Sequence, residues 1–131
     1  MPSRESRNNP FRHIHGAIQA LPDADRLFYY YTRVPLTWEY TDIAADGTDA
    51  TDKFAVEVAC KGSSDAGFTV ISTTAANATA DAVASTETAD STSPLNNTIP
   101  AGSTIRITVD ESGTGTNVVG ASFDVAFSYA R

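Results

Sequence analysis

Two histidines stand two residues apart in the segment His13-Ile14-His15. In a strand that step returns to the same face, where two imidazoles can share a metal ion. A third ligand is then needed, and no residue identifies itself as one, so solvated histidines are the simpler reading. The second concentration of ligating groups is acidic: Asp42, Asp46, Asp49 and Asp52 crowd around Gly47. Setting Gly47 on the invariant glycine of a calcium-binding EF-hand loop puts Asp42 at its first position and Asp46 at its fifth. Ala44 then takes the third, and Lys53 falls where a bidentate glutamate belongs. The segment is not an EF-hand, and a solvated acidic turn is expected.

Motifs for catalysis are missing. Gly113, Gly115 and Gly120 have the wrong spacing for a dinucleotide fingerprint and lie between two strand-like segments. The sequence contains no Walker loop, Gly-x-Ser-x-Gly elbow or HExxH. Carboxylates are plentiful, but no spacing pairs two of them in a cleft, and Ser-His-Asp chemistry would need one of the two histidines held in place. The expectation is a chain that is not an enzyme, with no catalytic residue, metal or cofactor. Asn77-Ala78-Thr79 and Asn96-Asn97-Thr98 fit the glycosylation pattern, which a threonine-rich chain meets easily by chance.

The remaining concentration is aromatic: Phe28, Tyr29, Tyr30, Tyr31 and Trp38, with Arg33 among them. Such rings can stack on bases or sugars. Alternation along a strand sends successive rings to opposite faces, so core and interface packing is the more economical account. Tyr29, Tyr30, Tyr31 and Trp38 are therefore candidate interface residues.

The elements that must carry these residues read as strands. Residues 1–10 are polar, with two prolines, and read as a flexible arm. Phe11, Ile14, Ile18 and Leu21 recur at helical spacing, Gly16 weakens that pattern and Pro22 ends it. A short helix over 11–21 and a docked extended arm both fit. From Leu27 aromatic and β-branched residues favour strand, and Pro35 marks an edge or a break. Asp46-Gly47 signals a turn. Phe54, Val56, Val58 and Cys60 alternate with Ala55 and Glu57, as in a half-buried strand, and a strand over 67–73 follows. Residues 74–93 combine alanine with threonine and serine and hold one large apolar residue, Val83. They read as an extended loop with a weak strand near 82–86. Ile105, Ile107 and Val109 then alternate, as do Phe123, Val125, Phe127 and Tyr129, with Asp124 and Ser128 on the opposite face. The division is an N-terminal arm, 1–26, and a β-domain, 27–131. Strands spaced by turns, without a convincing helix between them, predict an all-β fold, an antiparallel sandwich or barrel.

Composition limits what such a domain can do alone. Leu, Ile, Val and Phe total 26 of 131 residues, whereas Ala, Thr and Ser total 49. Burial is worth about 25 cal/mol per Å², so small side chains contribute little and partner subunits are expected to supply apolar contact. The net charge of −7 is uneven, +2 over residues 1–33 and −9 over the rest. An acidic body is unsuited to phosphate backbones, and no nucleic-acid partner is expected. Cys60 is the single cysteine, which excludes an intrachain disulfide and points to a buried inert thiol. No apolar run approaches the roughly 18 residues of a membrane span, and no apolar secretory segment opens the chain. Folding in a cytoplasm is expected.

From Phe54 to Arg131 the chain resembles small virion proteins of tailed bacteriophages, the head-decoration (cement) subunits and their relatives. The resemblance lies in FAVEVACKGSSDAGFTVIST, in NNTIPAGSTIRITVDESGTGT, and in the closing strand ASFDVAFSYAR. It is one of pattern, with IPAGSTIRITV the most characteristic part. It implies a jelly-roll-like β-domain, commonly trimeric, that clamps capsomers from outside the shell, with no shared catalytic residues. The partner would be a major capsid or other virion protein, and the location a virion assembled in the host cytoplasm. Arg4, Arg7, Phe11 and Arg12 of the arm would then lie across neighbouring subunits. A receptor- or glycan-binding β-domain, stacking on Tyr29, Tyr30, Tyr31 and Trp38, is the alternative.

Overall fold

The computed structural model describes residues 12–18, 26–47, 53–77, 82–90, 93–112 and 118–130. They form strands β1 (Arg12–Ile18), β2 (Arg26–Thr32), β3 (Leu36–Gly47), β4 (Lys53–Gly62), β5 (Thr69–Asn77), β6 (Ala82–Thr86), β7 (Thr98–Ile99), β8 (Ser103–Ser112) and β9 (Val118–Tyr129). One sheet runs β1-β9-β3-β6, with the short β7 also on β3, and the other runs β2-β8-β4-β5. Every pairing is antiparallel. Successive strands cross from sheet to sheet, except at the β4–β5 hairpin and where β6 leads to β7. Setting aside the short β7, two rows of four strands wound in this order are a jelly roll. The all-β sandwich expected from the sequence is therefore what the chain forms.

The strongest alternating segments occupy the centres of the sheets. Ile105, Ile107 and Val109 of β8 face Phe123, Val125 and Phe127 of β9 across a core that includes Phe54, Val56 and Val58 of β4. Cys60 closes that row, buried and unpaired. Trp38 lies wholly inside, and Ile99 of β7 caps the same end of the core. A type of bend seen at hairpins and caps leads into β8: Gly102 has φ +78°, a conformation that favours glycine, and its N–H donates to Thr32 O at 2.8 Å.

The structure answers three local expectations. Of the two readings that fit residues 11–21, a short helix and a docked extended arm, residues 12–18 take the extended one, as a strand on β9. The four-residue step from Ile14 to Ile18 is even, so it suits a strand face as well as a helix face. Ile14 packs on the core, while His13 and His15 point away from it. The β-domain thus reaches back to Arg12 and is not confined to residues after 26. Second, Asp46 and Gly47 are the last two residues of β3, with a bulge between them, and the remainder of the expected turn segment, 48–52, lies outside the described residues. Third, β5 continues to Asn77, beyond the expected end at 73. Its core-facing positions include Ser72 and Thr74, which are buried, so apolar alternation is lost while the ladder to β4 persists. The weak strand expected near 82–86 is β6.

Candidate functional site

Trp38 leaves the set of candidate surface residues. The alternation of β3 turns it inward, where it is fully buried and its Nε1–H donates to Thr41 Oγ1 at 3.0 Å. Arg4, Arg7 and Phe11 lie outside the described residues. Arg12 begins β1 and folds back on its own chain. Its guanidinium sits 4.8 Å from the Tyr129 ring centre, and its Nε and Nη2 both donate to the Tyr129 hydroxyl.

The tyrosines divide as strand geometry requires. Phe28 packs against the core beside Phe123, with Tyr30 on the same side of β2 but half exposed. Leu27, Tyr29 and Tyr31 stand on the outer face, 49, 55 and 66 % exposed. β2 is an edge strand, so its outward side chains have neighbours on only one side. On that side β8 places Arg106 opposite Tyr29 and Thr104 opposite Tyr31, and β4 adds Ala59 and Lys61 in the same rows. Phe68, arriving from the β4–β5 connection, lies 6.3 Å from the Tyr29 ring and covers the Arg106 guanidinium at 4.2 Å. Arg106 also meets Glu57 at 3.4 Å, while its buried Nε has no acceptor among the described residues. Together these residues make an aromatic surface in which Arg106 and Lys61 are matched by Glu57 and Asp110. Phe68 and Arg106 were not singled out in the sequence, because only the register of β8 against β2 brings Arg106 to Tyr29, and only the path of the β4–β5 connection brings Phe68 there.

The opposite face of the sandwich, on the other sheet, is acidic. A bulge between Trp38 and Tyr40 turns both Glu39 and Tyr40 outward. Asp42 of β3 lies directly opposite Asp124 of β9, with Ser85 of β6 and His15 of β1 continuing the row. Two carboxylates that no sequence spacing paired are thus cross-strand neighbours, an arrangement that costs stability when both are charged. His13 Nδ1 meets both Asp124 carboxylate oxygens, at 2.9 and 3.1 Å. Ser85 Oγ donates to Asp42, and Ser128 Oγ to Glu39. Burial first, then the charges of Asp124 and Asp42, push the Tyr40 phenol above its usual pKa. Asp42, Ser85 and Asp124 of this row, with Ala44, Ser122 and Val83, line a groove of about 530 Å³. Val83 on edge strand β6 is 76 % exposed.

The acidic segment, expected as a solvated turn, is strand over its first half. Asp42 and Asp46 are four residues apart on one strand, about 13 Å at strand rise, too far to share one ion; Asp49 and Asp52 lie outside the described residues. No group of three or more metal-ligating side chains converges among the described residues.

No protein-family model and no curated protein matches the sequence. Solved structures of similar shape include Eiger TNF from S. frugiperda, with 12 % identity, a TM-score of 0.45, and coverage of 78 % of this chain and 62 % of that one. The Yersinia pseudotuberculosis-derived mitogen has 10 % identity and a TM-score of 0.45, over 94 % of this chain and 87 % of that one. A chain of the infectious bursal disease virus VP2 subviral particle has 11 % identity and a TM-score of 0.44, over 93 % and 33 %. The jelly-roll assignment rests on the strand order of this chain, and these distant likenesses add nothing about its role.

Proposed function

We propose that the chain is a non-enzymatic structural subunit of a virion, of the capsid-decoration type, which stabilises the head shell by bridging capsomers. It acts as a homo-oligomer, with a trimer favoured, and has neither cofactor nor nucleic-acid partner. The observation that carries this reading is the group of exposed side chains Leu27, Tyr29 and Tyr31 on the outer face of edge strand β2. Side chains of this kind gathered in one place mark a protein–protein contact more often than scattered ones do. The sequence resemblance supplies the partner class.

The test is binding to shells assembled from the major capsid protein of the same genome. Deleting residues 1–11 stops short of β1, so the sandwich is expected to keep its melting temperature while shell occupancy falls. Unchanged occupancy would remove the arm from the proposal. A glycan- or receptor-binding module is the rival reading, favoured by the same two outward rings, Tyr29 and Tyr31. Saturable capture of the chain on a glycan array, lost in Tyr31→Ala, would establish that reading instead.

A further inference from the structure

β2 is an edge strand without the features that normally keep a sheet edge from pairing. Its ladder to β8 runs through all seven residues with no register shift, so no bulge turns the strand away. It contains no proline, lysine or glycine, and its single charge, Arg26, stands at one end. Both of its faces meet solvent, the outer one at Tyr29 and Tyr31 and the inner one at Tyr30, 40 % exposed. The other three edges differ. β6 has five residues, β5 accepts a hydrogen bond at Ile71 O from Asp90 N–H at 2.7 Å, and β1 carries His13 and His15. Among the described residues, no strand lies on the side of β2 away from β8.

We infer that β2 pairs with β2 of a second copy, antiparallel about a two-fold axis through Tyr29. The inference rests on the proposed function in one point, that β2 is an interface, and adds the partner strand and its register. The main chain supplies the complementarity, because an antiparallel edge matches its own rotated copy. An axis normal to the sheet keeps Tyr29 and Tyr31 outward in both copies only if facing residues share parity, which excludes the register that opposes Arg26 to Arg33. Tyr29 is the midpoint of β2, so this centre alone pairs all seven of its residues. It sets Leu27 against Tyr31 and Phe28 against Tyr30, aromatic and apolar pairs that stabilise adjacent strands. The exposed parts of the three tyrosines amount to about 240–400 Å² per copy, at roughly 150–250 Å² per ring. Counted on both copies, with Leu27 and the strand backbone added, the contact comes close to the roughly 1,000 Å² of a specific interface. A reversible association is the expected strength. A trimer joined in this way would become a hexamer with three such contacts.

Charge placed at the axis tests the register, because residue 29 is the one that meets itself. Sedimentation velocity of the native chain is expected to show a reversible doubling of mass with concentration. Tyr29→Lys and Tyr29→Glu each set like charges face to face and should raise the Kd for this step about tenfold or more. An equimolar mixture of the two should associate as the native chain does. Tyr29→Cys supplies a second reading. Facing Cα atoms about 4.5–5.5 Å apart suit a disulfide, so mild oxidation should cross-link that variant between copies. Lys61→Cys, on the same face but two strands inward, should stay uncrosslinked. A native chain whose mass does not double, charge variants that associate like it, a mixture that stays apart, or an uncrosslinked Tyr29→Cys would each overturn the inference. Shell binding, measured separately, distinguishes the two claims. A chain whose mass never doubles but which saturates shells sinks only this contact, and a doubling chain that shells ignore sinks only the virion reading.

Discussion

Trp38 shows how far a residue's chemistry depends on the parity of its strand. The ring is fully buried with its one donor satisfied by Thr41, so truncation leaves both a cavity and an unpaired hydroxyl. Trp38→Ala is expected to cost about 3–5 kcal/mol, read from the denaturant midpoint, and Trp38→Phe distinctly less. Cys60 makes a second residue-scale case. Burial foremost, then the charge of Asp65, raises its thiol pKa. Tyr40 is raised as well. Both groups are neutral when protonated, and the folded state holds their protons to higher pH than the unfolded chain does. Their contribution is therefore fully present below the unfolded values and is lost as pH rises through the folded ones. Stability is expected to fall above about pH 9, with a shallower fall in Cys60→Ala; a flat profile up to pH 10.5 or so would contradict this. The buried thiol was legible from its place in an alternating run. The position of Trp38 was not, because a bulge one residue later breaks the alternation of β3.

At the scale of elements, β1 is the instructive strand. Its hydrogen bonds to β9 and the His13–Asp124 contact hold an edge that sequence periodicity left open between helix and extended chain. Gly16 is what lets it lie close. A Cβ there would come within 3.0 Å of the Phe123 ring. Gly16→Val is expected to lift β1 and cost about 1–3 kcal/mol. Hydrogen exchange should rise across residues 12–18 while β8 keeps its protection. Strands β4, β8 and β9 were legible because large apolar residues alternate in them. β5 was cut short because serine, threonine and alanine fill its inward positions, and small side chains leave little periodic signal. The register between strands, which sets Asp42 against Asp124 and Phe68 over Arg106, has no signature in one sequence. That is why the acidic row and half of the aromatic surface emerged only from the fold.

For the whole molecule, a shortage of large apolar side chains led to the expectation of partner subunits. The sandwich nevertheless fills its own core with buried residues from six of the nine strands, and partly buried ones from the other three pack against it. What distinguishes the surface is placement: aromatic rings left on an edge strand of one sheet, and a row of carboxylates on the outer face of the other. Under the proposed function the aromatic surface would meet neighbouring subunits, and the virion reading gives those neighbours a chemical identity. The most direct measurement is the thermal melting of expanded shells, made from the major capsid protein of the same genome, with and without saturating amounts of this chain. The proposed function predicts saturable binding at a fixed number of copies per capsomer and a shell that melts at a higher temperature. Shells that neither bind the chain nor change their melting temperature would contradict it.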